Sequence, residues 1–110
     1  MKIAVALENN NGLDSIVAYR FARAPFFAII EVENGKVKKL EIIPNSYGGG
    51  ARGVGPAVAN WLANMGVKIV VGPHIGPNAA MALRNLGVEF RQVSSGTRLA
   101  EVMRILGFSM

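Results

Sequence analysis

The chain contains no cysteine. Without thiols it forms no disulfide and offers no thiolate to zinc or to an iron–sulfur cluster. Histidine occurs once, at His74, so a closed zinc site would have to take its other ligands from carboxylates. Carboxylates are few as well: Glu8, Asp14, Glu31, Glu33, Glu41, Glu89 and Glu101. Two-metal hydrolysis needs several acids gathered on central strands, and this scatter does not provide them. Aromatic residues make up only 7% of the chain. That argues against a base-stacking platform, and so against nucleic acid as the partner. No apolar run approaches the roughly 20 residues that span a bilayer. The opening Met1-Lys2-Ile3-Ala4-Val5-Ala6-Leu7-Glu8 is too short and too soon charged for a signal peptide. A cytoplasmic protein without a membrane partner is the expectation.

What is present is core material and positive charge. Hydrophobic residues make up 51% and charged residues 17% of the 110 positions. That balance suits one folded domain over residues 1–110, with no linker or low-complexity tract. Twelve Lys and Arg oppose seven Asp and Glu, for a net charge of +5. Such a surplus either aids solubility alone or attracts an anionic ligand. Its placement decides between the two.

The apolar Lys2–Glu8 predicts a strand covered on both faces. Asn9 to Gly12 is turn chemistry, and Ser15–Ala22 is read as a short helical turn. Pro25–Glu33 is rich in β-formers. Asn34-Gly35 supplies the two positive-φ positions of a type I′ hairpin, and Lys36–Ile43 returns as the partner strand. Its lysines suit a sheet edge. Beyond Pro44, helices and strands alternate. A helix is expected from about Arg52 to Asn64, with Pro56 in its first turn and Gly66 as its stop. A strand follows at Val67–Val71, then a helix at Pro77–Leu86 closed by Gly87, then a strand at Val88–Val93. A last helix is capped by Thr97 and buries Leu99, Val102, Met103 and Leu106. Asn64-Met65-Gly66-Val67 and Asn85-Leu86-Gly87-Val88 repeat one helix-stop-strand device. Two such units imply right-handed crossovers between parallel strands. The fold class that follows is α/β, three layers α/β/α around a five-stranded mixed sheet of order 3-2-1-4-5. Strand 2 is antiparallel, as in the ribonuclease H-like topology.

Open α/β sheets bind ligands beyond the carboxyl ends of their parallel strands. In this topology that rim collects residues 9–12, 20–24, 46–52, 72–78 and 94–97, and three helix N-termini open onto it. It therefore gathers Arg20, Arg23 and Arg52, the Gly48-Gly49-Gly50 run, His74, Gly76 and Asn78. Each has a plainer reading. The arginines can be solvated, the glycines a flexible connection, His74 a cap for the following helix, and Asn78 a backbone partner in its first turn. Gly48-x-Gly50-x-x-Gly53 has the spacing of a dinucleotide fingerprint. It follows a hairpin edge, however, and no acid ends the next strand. The phosphate-loop Gly-Lys-Ser/Thr is missing too.

Five segments together resemble a known family: Met1-Lys2-Ile3-Ala4-Val5; Gly12-Leu13-Asp14-Ser15; Phe21-Ala22-Arg23-Ala24-Pro25; Gly48-Gly49-Gly50-Ala51-Arg52-Gly53; and Ile75-Gly76-Pro77-Asn78-Ala79. The chain resembles the dinitrogenase iron–molybdenum cofactor biosynthesis domain family over nearly its whole length. The resemblance implies a ribonuclease H-like fold. It also implies binding, carriage or assembly of an anionic iron- or molybdenum-containing metal–sulfur cluster, related to nitrogen fixation, rather than enzymatic turnover. Cofactor-assembly or acceptor proteins are the implied partners. The family commonly places His-Phe-Gly where this chain has Arg20-Phe21-Ala22. Arginine does not coordinate metal but pairs with sulfide or oxyanion charge, so ion pairing replaces ligation here. Arg20, Arg23 and Arg52 are then expected to neutralise the ligand. Backbone near Gly48, Gly49, Gly50, Gly76 and Asn78 donates to it. His74 hydrogen-bonds it or, as the lesser expectation, ligates a metal. A phosphometabolite or nucleic acid on the same basic rim is the alternative.

Overall fold

Five apolar residues in succession, Ile3 to Leu7, ended by a turn, dictate a buried central strand, and the computed structural model, which describes residues 1–110, places it there. The strand β1 (Lys2–Leu7) is fully buried from Ile3 to Leu7. On one side it pairs antiparallel with β2 (Phe26–Glu33), which hairpins into β3 (Lys36–Pro44). The turn holds Asn34 at φ 54° and Gly35 at φ 77°, the left-handed pair that a type I′ connection demands. On its other side β1 runs parallel to β4 (Val67–Gly72), and β4 runs parallel to β5 (Glu89–Gln92). The sheet order is β3-β2-β1-β4-β5, the expected 3-2-1-4-5 with strand 2 antiparallel.

Helix α1 (Val54–Asn64) joins β3 to β4, α2 (Pro77–Asn85) joins β4 to β5, and α3 (Leu99–Leu106) ends the fold. Both crossovers step the same way along the sheet. A shared right-handedness therefore puts both helices on one face. That face packs Val58 and Leu62 of α1 and Leu83 of α2 against Ala4, Phe27 and Val70. The other face packs Leu99, Val102 and Met103 of α3 against Ile3, Val5 and Ile30. Along β1 the alternation separates small Ala4 and Ala6 from large Ile3, Val5 and Leu7. The small side leaves room for the two-helix layer. No helix is long and apolar enough to cross a membrane.

Several local expectations are corrected. Ser15–Ala22 is not helical. A 3-10 turn at Gly12–Asp14 precedes it, and the chain then bridges Val17 to Leu7 and Ile16 to Arg98. The cause is side-chain competition for the backbone. Asn9 Oδ1 accepts from the Ile16 N–H at 2.9 Å, and Ser15 Oγ accepts from the Asn11 N–H at 2.7 Å. Thr97 is not the cap of α3. Its hydroxyl donates to the Ser94 carbonyl at 2.7 Å, and Arg98 occupies the cap position without a side-chain bond. Helix α1 begins at Val54, not Arg52, which makes Pro56 its third residue. Its missing N–H costs nothing in the first turn. Lys2 Nζ donates to the Met65 carbonyl at 3.1 Å and so satisfies the C-terminal end of α1. On the exposed face of α3, hydrogen bonding from Arg104 lowers the Glu101 carboxyl below its ordinary range, and Glu101 in turn raises the guanidinium. The carboxyl is depressed in the folded state. Its small contribution is therefore present at neutral pH and lost as pH falls through the folded value.

Helices α1 and α2 cross at their N-terminal ends, where a Cβ on Gly55 would meet the Ala79 Cβ at 3.0 Å. Gly55→Val forces the two helices apart there. It is expected to destabilise the protein by about 1–3 kcal/mol, read by denaturant unfolding.

Candidate functional site

The site begins with a ring. Phe21 is 3% exposed although it lies on a connection between basic residues. It fits because β4 ends in glycine: a Cβ on Gly72 would meet Phe21 Cδ1 at 3.2 Å and Ala6 Cβ at 3.5 Å. Phe27 and Phe90 hold the ring edge-on, with centroids at 5.7 and 5.8 Å. The contacts continue from Phe27 to Trp61 at 6.0 Å and from Trp61 to Tyr47 at 5.5 Å. One aromatic series thus ties the arginine segment to the sheet, to α1 and to the glycine-rich loop. Spacing in the sequence carries no sign of it, because its members come from five separate segments.

Asn45 closes the second connection. Its Nδ2 donates to the carbonyls of Ala22 and Ala24, both at 2.9 Å, and its Oδ1 accepts from the Tyr47 N–H at 3.0 Å. Arg23 Nη1 donates to the Gly48 carbonyl at 2.9 Å. The sequence reading omitted Asn45. Its signal was an asparagine directly after Pro44 at the start of a turn, where side chains of this type bond nearby backbone.

These contacts shape a cleft of about 380 Å³ at the carboxyl rim of the sheet. Arg20 and Arg23 form one wall, and His74, Gly76 and Asn78 the other. Gly55 and Ala79 lie at the helix crossing between them. The first bond of α1 runs from the Ala57 N–H to Gly53, and that of α2 from the Ala80 N–H to Gly76. The amides of Gly55, Asn78 and Ala79 therefore precede the first helical donors and have no partner in their helices. No carboxylate lines the cleft. Across the arginine segment lies a second hollow of about 410 Å³, formed by Glu8, Tyr19, Arg20 and Arg23. There the Glu8 carboxylate accepts from the Tyr19 N–H at 3.3 Å and forms no ion pair with either arginine.

The structure brings together Arg20, Arg23, His74, Gly76 and Asn78, but not the rest of the expected set. Gly48, Gly49, Gly50 and Arg52 do not line the cleft. The glycine loop lies outside the cleft and reaches it only through the Gly48 carbonyl that orients Arg23, whereas Gly55 lines the cleft. Arg52 is exposed on the flank. His74 does not cap α2, whose cap residue Gly76 makes no side-chain bond. The Asn78 amide likewise bonds nothing in its first turn. Both side chains are exposed beside the cleft. No cluster of three or more His, Cys, Asp or Glu is placed to hold a metal ion.

This arrangement accompanies a family assignment. Residues 1–106 match the family described as dinitrogenase iron–molybdenum cofactor. The chain belongs to that family. An uncharacterised protein of Methanocaldococcus jannaschii is 35% identical over 105 residues, covering 96% of this chain and 84% of its own. The apo form of the orange protein from Desulfovibrio gigas superposes with a TM-score of 0.84 at 30% identity, over 96% of this chain and 86% of its own. A NifB-like protein from Thermotoga gives a TM-score of 0.76 at 30% identity, over 96% and 85%. The family and these neighbours fit a small cofactor-binding role.

Asn45→Ala removes both bonds to the arginine segment. The expected cost is about 1–3 kcal/mol of stability, with faster amide exchange across residues 20–24 than across β1.

Proposed function

We propose that the protein binds an anionic metal–sulfur cluster, iron- or molybdenum-containing, and carries it as cargo without turning it over. The carrying observation is the convergence of Arg20, Arg23 and the free amides of two helix starts on a cleft that no carboxylate lines. Guanidinium groups and helix N-termini both favour negative charge. The donor set also selects the form of the cargo. A bare metal ion needs several ligating side chains, and the cleft offers only the His74 imidazole. A preassembled anion needs positive charge and N–H donors, and these are present. Phe21, Ala22, Ile75 and Ala79 add apolar contact, suited to the polarisable faces of bound sulfide. The family and the orange protein neighbour support the same reading. Assembly or acceptor proteins are the partners it implies.

Titrating the apo protein with tetrathiomolybdate, an anionic metal sulfide, tests this by visible absorption. Wild type is expected to bind saturably and more weakly as salt rises. Arg20→Ala, whose guanidinium makes no bond within the protein, is expected to weaken binding about tenfold or more. As a surface substitution it changes stability by less than about 0.5 kcal/mol. Arg52→Ala, outside the cleft, keeps near-wild-type affinity. Equal affinity in wild type and the Arg20→Ala, Arg23→Ala double variant would overturn the proposal. Tighter binding of inorganic phosphate than of thiomolybdate would assign the cleft to phosphorylated ligands instead. Metal analysis of protein isolated without oxygen from its native host then identifies the physiological cargo.

A further inference from the structure

The two edges of the sheet are not alike. The β3 edge displays exposed Lys36, Lys38 and Lys39, and its beginning is bridged to Ser109. Charge of this kind prevents another strand from adding. The β5 edge carries one cation, Arg91, which is engaged by Glu89 at 2.5 Å. It has no lysine and no proline. The Val93 N–H donates to the Gly72 carbonyl at 2.8 Å, which fixes the phase of the backbone. In a parallel pair, alternate residues direct their N–H and C=O to the same side. Residues 89, 91 and 93 face β4, and the backbone groups of Phe90 and Gln92 therefore face outward.

Beside this edge, between α2 and β5, lies a groove of about 420 Å³. Leu83, Val88 and Phe90 supply its apolar lining, and Arg84 and Gln92 its polar groups. No carboxylate lines it. The Arg84 side chain is exposed and has no ion-pair partner in the chain. Glu89 and Arg91, by strand alternation, belong to the opposite face. The groove shares His74 and Ile75 with the arginine cleft, so the two adjoin at that connection.

We infer that the β5 edge and this groove dock an extended segment of a partner protein, one whose inward face presents an apolar and an acidic side chain. The segment adds as a sixth strand, bonding to the outward N–H and C=O groups of Phe90 and Gln92. Its apolar side chain enters between Leu83 and Phe90, and its carboxylate meets Arg84. Strand addition of this type takes affinity from the main chain and specificity from alternate side chains. A second copy fits less well. Each chain carries a net +5, and two copies would bring the same unpaired arginine to the interface. The inference does not depend on what the cleft carries, though the shared His74 and Ile75 put a docked partner beside the cargo.

The probe is a labelled peptide of about ten residues, the length of a long strand. Threonine occupies every second position, and the positions between alternate valine with glutamate. The expected result is saturable binding to the apo protein, with the largest amide shifts at Phe90 and Gln92. Gln92→Pro removes one outward N–H and leaves the β4 ladder intact, since an edge strand tolerates proline at such a position. It is expected to weaken the peptide about tenfold or more. Arg84→Glu, on the helix surface, is expected to weaken it comparably and to favour the lysine counterpart of the peptide. Absence of binding, shifts confined to β3 or the arginine cleft, or unchanged affinity in both folded variants would overturn the inference. Self-association of the wild type abolished by Gln92→Pro would also overturn it, assigning the edge to a second copy. Because thiomolybdate titration reads the cleft and peptide titration reads the edge, failure of one is distinguishable from failure of the other.

Discussion

The seating of the Phe21 ring over Gly72 is the constraint from which the site is built. A side chain on Gly72 would meet the ring at 3.2 Å, so the end of β4 has to be bare for Phe21 to enter the core. Once seated, the ring is held edge-on by Phe27 and Phe90, contacts that each add about 0.5–1.5 kcal/mol beyond buried area. Arg20 and Arg23 lie one residue before and two residues after it in the chain. Their exposed cations are therefore anchored by a buried neighbour. Order already present in the backbone before a ligand arrives is a cost that binding does not meet.

The same economy governs charge. Arg23 is oriented by the Gly48 carbonyl, not by a carboxylate. A neutral acceptor fixes the direction of a guanidinium without cancelling its charge, so the field in the cleft is retained. Glu8, the nearby acid, is occupied with the Tyr19 amide. The two helix starts add partial positive charge, and they lie side by side only because Gly55 admits Ala79 so closely. Positive groups kept together without a counter-ion repel one another, and the surrounding core must offset that repulsion. An anion relieves it. The glycine-rich loop, whose backbone was expected from the sequence to donate to the ligand, instead lies outside the cleft and holds one of its arginines.

The architecture was legible because it follows from local rules. Unbroken apolar strands, an Asn-Gly hairpin and two Gly-stopped helices leave few topologies, and crossover handedness selects among them. The position of the rim then followed from strand direction. Interactions between distant segments were not legible. Neither the Phe21–Gly72 fit nor the Gly55–Ala79 crossing has a sequence period. Ser15–Ala22 misled because its apolar content suits a helix, whereas Asn9 and Ser15 bond the backbone and impose an extended path. The plainer reading of His74, a cap for the following helix, fails because Gly76 takes the cap position.

Under the proposed function, the composition of the cleft sets how firmly a cargo would be held and how it would leave. A thiolate or multidentate carboxylate site binds through coordinate bonds, and release then requires ligand exchange at the metal. Here the chain has no cysteine, and the cleft presents one imidazole among guanidinium and amide donors. On the proposed reading, binding through charge and N–H groups would leave the inner coordination of a cluster undisturbed, so that a cargo would keep its own composition in transit. Such contacts are weakened by a competing anion or by a change in local dielectric, without any covalent step. Arg20 and Arg23 also border the hollow on the far side of their segment, and His74 and Ile75 border the groove under α2. The walls of the cleft are thus shared with surfaces that another molecule can reach, and a contact on either one bears directly on the residues that form those walls.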